Sequence, residues 1–246
     1  MTDDPLLDGY THWAPGYPAT NGRTDSKGTK PGYAWTDPFS DEEVMPAQEW
    51  IVPDRIPLHQ TGLLSGEGAA GKSIIGLHLT IATVLGRDWL GSLPHPGPAF
   101  FIDCEDGRDV IHRRADAVRS YCQSTFKEIF QGGFHFQSMV GENCIVATQR
   151  NGIITPTKYY DWLLRQASDV KPRITVIASL ANIFGGVEWD RSQVQQFVSL
   201  MNHIALEANG AVMLISHPSL TGISSGTGLS GSTQWHNSVR FRIYLK

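Results

Sequence analysis

Gly66-Glu67-Gly68-Ala69-Ala70-Gly71-Lys72-Ser73 fits the pattern G-x-x-x-x-G-K-S/T. That pattern is loose by itself, so the flanking residues decide its meaning. Thr61-Gly62-Leu63-Leu64-Ser65, just before it, reads as a short apolar strand ending in a small residue. After it, Ile74, Ile75, Leu77, Leu79, Ile81, Ala82, Val84 and Leu85 run up to Gly86, which predicts a buried helix with a glycine stop. Strand, glycine turn and helix in that order form a cradle for phosphate. The glycines let successive backbone N–H groups point inward, and the helix N-terminus adds positive potential. Gly66, Glu67, Gly68, Ala69, Ala70, Gly71, Lys72, Ser73 and Ile74 are therefore the nucleotide-binding candidates. Lys72 is placed to reach the β- and γ-phosphates, and Ser73 to ligate Mg²⁺.

With 246 residues, 41% of them hydrophobic, the chain is long enough for one sizeable core and an appendage. No apolar run approaches the roughly 20 residues of a membrane helix, so no membrane partner is expected. The acidic, proline-containing start does not read as a signal peptide. Cys104, Cys122 and Cys144 are odd in number and lack C-x-x-C spacing, which points away from a metal or disulfide framework and towards a reducing, cytoplasmic home. The net charge of −4 argues against a surface that coats nucleic acid throughout, so any such contact must be local.

Residues 1–48 hold six of the fourteen prolines and show no helical or strand period. They read as an N-terminal arm or linker, either docked on a neighbouring subunit or folded back on its own core, with Tyr10, Trp13, Tyr17, Tyr33 and Trp35 as its anchors. The patterned part is 49–246. Ala99–Glu105 predicts a buried strand ending in carboxylates, and Ile111, Ala115, Val118 and Cys122 follow at helical spacing. Phe134–Phe136 and Ile145–Thr148 are short strand candidates, and Thr155-Pro156 reads as a helix start with proline in the first helical position. Ile174–Ile177 is a β-branched run suited to a central parallel strand. Asp190 with Gln193 resembles a capping box, before an apolar-periodic helix that Gly210 ends. Ala211–Ser216 and Val239–Leu245 are the last strands. Strands alternate with helices, so the fold class is α/β, with a mostly parallel twisted sheet flanked by helices and an irregular N-terminal arm.

Three stretches now resemble one family in order and spacing. Phe101-Ile102-Asp103-Cys104-Glu105 looks like the F-I-D-A-E strand of RecA, Val176-Ile177-Ala178-Ser179 like its V-V-D-S strand, and Asn237-Ser238-Val239-Arg240 like its A-S-V-R strand. Trp50-Ile51-Val52-Pro53, and the pairing of Glu105-Asp106 with a downstream histidine, are more similar still to the RepA-type hexameric replicative helicases, which are RecA-like P-loop ATPases. The resemblance covers about residues 50 to 246. It implies ATP and Mg²⁺ as cofactors. Glu105 becomes the carboxylate that orients and deprotonates the attacking water, and His217 the polar group that senses the γ-phosphate. Arg240 and Arg242, on one face of a strand, become candidate arginine fingers reaching a neighbouring subunit, alongside Lys72 in the catalytic set. A homo-oligomer follows, a ring taken as a hexamer or else a filament, acting on single-stranded DNA with replication or recombination proteins as further partners.

One position departs from the pattern. The strand from Ile174 should end in an aspartate that holds the metal's water shell opposite Ser73, and this chain has Ala178. The expectation is impaired hydrolysis through a substitution that traps the ATP-bound state. A naturally impaired ATPase, or takeover of the metal by Asp103 or Asp106, would also account for the alanine. The two loops that would face bound DNA, Asn182–Asp190 and Pro218–Thr233, contain no Lys or Arg. The second offers backbone N–H groups and small hydroxyls, among them those of Gly222, Ser224, Gly228 and Ser230, which contact phosphate without reading bases. Trp189 and Trp235 are candidates for base stacking. Against the helicase reading stand a filament-forming recombinase and a nucleotide-gated loader whose product is a conformational state.

Overall fold

Four apolar runs, at Leu63–Leu64, Ala99–Ile102, Ile174–Ile177 and Ala211–Ile215, have no polar face, and each becomes a strand covered on both sides. A computed structural model describes residues 44–217 and 233–245, within which the globular unit begins at Gln48. A hairpin of β1 (Trp50–Val52) and β2 (Ile56–Pro57) precedes β3 (Thr61–Gly66). Then come α1 (Lys72–Leu85), β4 (Ala99–Asp103), α2 (Arg108–Tyr121), α3 (Phe126–Gln131) and β5 (Phe134–Ser138). They are followed by β6 (Ala147–Arg150), β7 (Ile153–Pro156), α4 (Lys158–Val170), β8 (Ile174–Ala178), α5 (Leu180–Ile183) and β9 (Phe184–Gly185). The described chain closes with α6 (Arg191–Ala208), β10 (Ala211–Ser216), α7 (Thr233–Ser238) and β11 (Phe241–Leu245).

The main sheet has six strands in the order β11-β3-β10-β8-β4-β5, and every neighbouring pair is parallel. Period-two alternation sends the two sets of side chains to opposite cores. Phe101, Val176, Ala178 and Ile215 pack with Leu77 and Ile81 of α1 and with Ile111 and Val118 of α2. Phe100, Ile102, Ile177 and Leu214 pack with Leu163 of α4 and Phe197 and Met201 of α6. This is the three-layer arrangement of a RecA-like P-loop core, in which ligands meet the carboxyl ends of the strands. A smaller sheet, β7-β6-β9, stands apart from it. Among the described residues no helix is long and apolar enough to cross a membrane.

Three local expectations needed adjustment. Pro156 does not open a helix: it ends β7, paired with Ala147, and Thr157 caps α4 by accepting the N–H of Tyr160. A strand end tolerates the missing proline N–H as well as a first helical turn does. Asp190 caps α6 as expected, its Oδ1 accepting from the N–H groups of Ser192 (2.9 Å) and Gln193 (3.2 Å). Gln193 completes the motif differently, donating to Asp190 Oδ2 and accepting the Val187 N–H. The left-handed residue that stops α6 is Asn209, not Gly210. Gly210 is reserved for another reason, because a side chain there would collide with the Pro172 carbonyl.

Candidate nucleotide site

β3 delivers the chain to the loop at the carboxyl edge of the sheet, and α1 carries it away. Glu67, Gly68 and Ala69 are exposed, and a Cβ at Gly68 would meet no atom within 4 Å, so a ligand has free approach to that backbone. Gly71 has φ 85°, which favours glycine, and it starts α1 with no side-chain cap and no acidic residue in the first turn. The first N–H groups of α1 therefore lack a side-chain acceptor, and its positive end is not neutralised by its own side chains. Gly66 is a glycine for a reason the motif does not reveal: a Cβ there would lie 2.8 Å from the Leu245 carbonyl of β11. Ile74 is 37% exposed at the start of the helix.

Lys72 is only 5% exposed, and its Nζ donates to the carbonyls of Gly66 (2.8 Å) and Glu67 (2.7 Å). The side chain thus lies along the loop, where phosphate oxygens would compete with those carbonyls. Burial lowers the Lys72 pKa below the usual lysine range, and the Glu105 carboxylate pulls it back up. The amine of one candidate and the carboxylate of the other therefore share one field. Ser73, beside Lys72 in the first turn, is half-buried.

Glu105 sits in the turn after β4, exposed, and its position is fixed from below. Asp103 Oδ1 accepts the N–H groups of both Glu105 (2.9 Å) and Asp106 (2.8 Å). Asp103 is 1% exposed, and burial raises its pKa while the two N–H donors oppose that shift. Asp106 is committed elsewhere, with Oδ2 2.6 Å from Arg114. Ala178 ends β8 between Ile215 of β10 and Asp103 of β4, on the α1 side of the sheet, and contributes no side-chain oxygen.

His217 is the first residue past β10, exposed, and one step beyond the pair Ser216–Ser65. Arg240 and Arg242 are exposed and alternate with buried Val239 and Phe241 at the sheet edge. Arg242 is level with Leu63, three residues or about 10 Å of strand short of Gly66. Gly222, Ser224, Gly228 and Ser230 lie outside the described residues. The stretch Asn182–Asp190 is less of a loop than expected, since Asn182 and Ile183 finish α5 and Phe184-Gly185 form β9. Trp189 within it is 80% exposed. Trp235 is not available for stacking: it is 1% exposed and packs edge-on against Phe184 and Phe197.

Two residues named in the sequence for other reasons also hold the site together. Ser179 Oγ donates to Asn182 Oδ1 (2.7 Å), and Asn182 Nδ2 reaches the Cys104 carbonyl (3.5 Å), tying the end of β8 to the turn that holds Glu105. The resemblance marks Ser179 as a strand end and Asn182 as a loop start, but only the register of the two strands brings them to Cys104.

A phosphate loop on a parallel sheet, with a buried lysine whose charge a glutamate at the next strand's end supports, defines the class as a P-loop ATPase domain. The chain belongs to the AAA domain family, whose profile matches residues 33–222. No curated protein matches the chain.

Proposed function

We propose that the chain is an ATP-hydrolysing motor that assembles into a ring and acts on single-stranded DNA, as the RepA-type replicative helicases do. The observation that carries the reading is the placement of Arg240 and Arg242. They are exposed on the edge strand beside β3, and Arg242 stands about 10 Å of strand short of its own phosphate loop, a placement that suits a finger offered to another copy's γ-phosphate. The loop N–H groups and Lys72 bind the triphosphate, and Glu105 orients the water and takes its proton. His217, leading into the segment 218–232, relays the loss of the γ-phosphate.

Among the described residues no three His, Cys, Asp or Glu side chains gather as a metal cage, so a divalent cation would rely on Ser73, phosphate oxygens and water. Such a cation supplies neutralising charge to the phosphates. DNA contact falls to Trp189 and to the small hydroxyls of the second loop, which predicts modest affinity with a shallow salt slope. The test is ATP turnover with and without single-stranded DNA, together with particle mass in Mg²⁺-ATP. Turnover stimulated by DNA and a closed oligomer support the motor; a monomer with DNA-independent turnover removes it. Ala178 favours a second reading, a nucleotide-gated loader in which turnover is slow and the closed interface is the product. ATP-dependent assembly with no response to DNA would select it.

A further inference from the structure

The carboxylate expected at the end of β8 is absent, yet the same face of the sheet carries another, one strand over. Gly76 of α1 fixes the alignment: a Cβ on it would lie 2.9 Å from Val176 Cγ1 and 3.8 Å from Phe101 Cε2. Val176 and Phe101 are register partners on β8 and β4. Two residues further along those strands come Ala178 and Asp103, again partners, and one turn back along α1 come Lys72 and Ser73. Asp103 therefore ends its strand on the α1 face, at the level of the first helical turn.

Only half of its carboxylate is used. Oδ1 accepts two backbone N–H groups, whereas Oδ2 is buried with no hydrogen-bond partner, in a side chain 1% exposed. An unpartnered buried carboxylate oxygen is costly, and a water molecule, free or held by a cation, would satisfy it. Asp106 is less suited to that role, because the Arg114 guanidinium, 2.6 Å from its Oδ2, already balances its charge. Resting on the nucleotide-site reading above, we infer that Asp103 supplies the carboxylate that anchors the water shell of the phosphate-bound divalent cation, in place of the residue missing at Ala178. The anchor has moved one strand along the sheet edge. Asp103 then links two tasks through one side chain, holding the Glu105 turn with Oδ1 and the cation's water with Oδ2.

The test compares binding of a fluorescent ATP analogue with Mg²⁺ and with EDTA, in the full chain and in Asp103→Asn, Ala178→Asp and the double variant. Asparagine keeps the Oδ1 acceptor and removes the charge. The native chain should bind more tightly with Mg²⁺, and Asp103→Asn should lose that advantage by about tenfold while its affinity in EDTA stays unchanged. Ala178→Asp should restore the Mg²⁺ advantage in the Asp103→Asn background and add little to the native chain. Retention of the full advantage in Asp103→Asn overturns the inference. So does a tenfold or larger gain from Ala178→Asp alone, which needs no folded Asp103 variant to be seen. If the native chain retains no analogue under either condition, the nucleotide reading itself fails, an outcome distinct from a wrong choice of carboxylate.

Discussion

Gly76, in the second turn of α1, stands against Val176 in the middle of β8 so closely that an added Cβ would lie 2.9 Å from the valine Cγ1. That contact sets the height of the helix over the sheet, and with it the height of Lys72 and Ser73 one turn earlier. Gly76→Ala gains about 1 kcal/mol of helix propensity but forces an overpacking cost of about 1–3 kcal/mol. The net expectation is a loss of about 1 kcal/mol in urea unfolding, with weakened ATP binding. Val176→Ala in the same chain makes room for the new methyl, so the double variant should be more stable than the two single losses predict, by about 1 kcal/mol. Strict additivity would mean that the helix already has room to shift.

Lys72→Ala removes the cation that bridges Gly66 and Glu67. The charge available to phosphate is lost with it, so ATP affinity should fall by about 100-fold or more in equilibrium dialysis. Stability without nucleotide should change little, because the burial that lowers the Lys72 pKa offsets what its two hydrogen bonds contribute. Unchanged affinity would remove the basis for a nucleotide site here.

Glu105→Gln separates binding from chemistry. Glutamine keeps the size and loses the base, so steady-state turnover should drop by about 100-fold or more while ATP affinity stays within about threefold. The turn itself should survive, since Asp103 holds it through the backbone N–H groups of Glu105 and Asp106. Equal loss of binding and turnover would place Glu105 in ground-state recognition.

The parallel core was legible because its strands are apolar on both faces, and a run such as Ile174–Ile177 fits little else. The loop was legible because Gly71 and Lys72 answer to backbone conformation and phosphate chemistry, both local. What escaped depends on register between distant segments. Nothing near Gly66 in the sequence announces Leu245, and nothing in Asp103 announces that its partner across the strands is Ala178. Trp235 is a stacking candidate by residue type alone, but the rings of Phe184 and Phe197, some fifty and forty residues away, pack edge-on against it. Pro156 obeys two rules at once, helix start and strand end, and only pairing with Ala147 decides between them.

Two buried histidines should set the acid limit of stability. Burial lowers the pKa of His78, with the backbone and carboxylate of Asp88 opposing, and lowers that of His203 despite nearby Glu207. His78 also meets Tyr121 edge-on, and His203 Nδ1 is 2.9 Å from the Tyr160 hydroxyl. A histidine pKa depressed by folding means that the unfolded chain binds more protons below about pH 6.5, so stability rises with pH there and is lost as pH falls through the depressed value. Melting temperature should therefore decline between about pH 7 and pH 5, with a shallower slope in His78→Leu. An identical slope in the variant would show that His78 does not titrate across unfolding.

Arg242 gives the sharpest test of assembly, because a finger that works in trans can be supplied by a different chain. Arg242→Ala lacks the finger but keeps an intact phosphate loop, and Lys72→Ala has the reverse defect. Each alone should turn over ATP poorly. Mixed in equal amounts and allowed to exchange, they should form interfaces in which one copy provides the loop and its neighbour the arginine, restoring activity at about a quarter of the sites. The same mixture with Arg240→Ala in place of Arg242→Ala asks which of the two exposed arginines is the finger, since Arg240 lies just outside β11, its N–H on the Thr61 carbonyl. A finger acting within its own chain would leave every mixture as inactive as its parts, because no copy would then hold both residues.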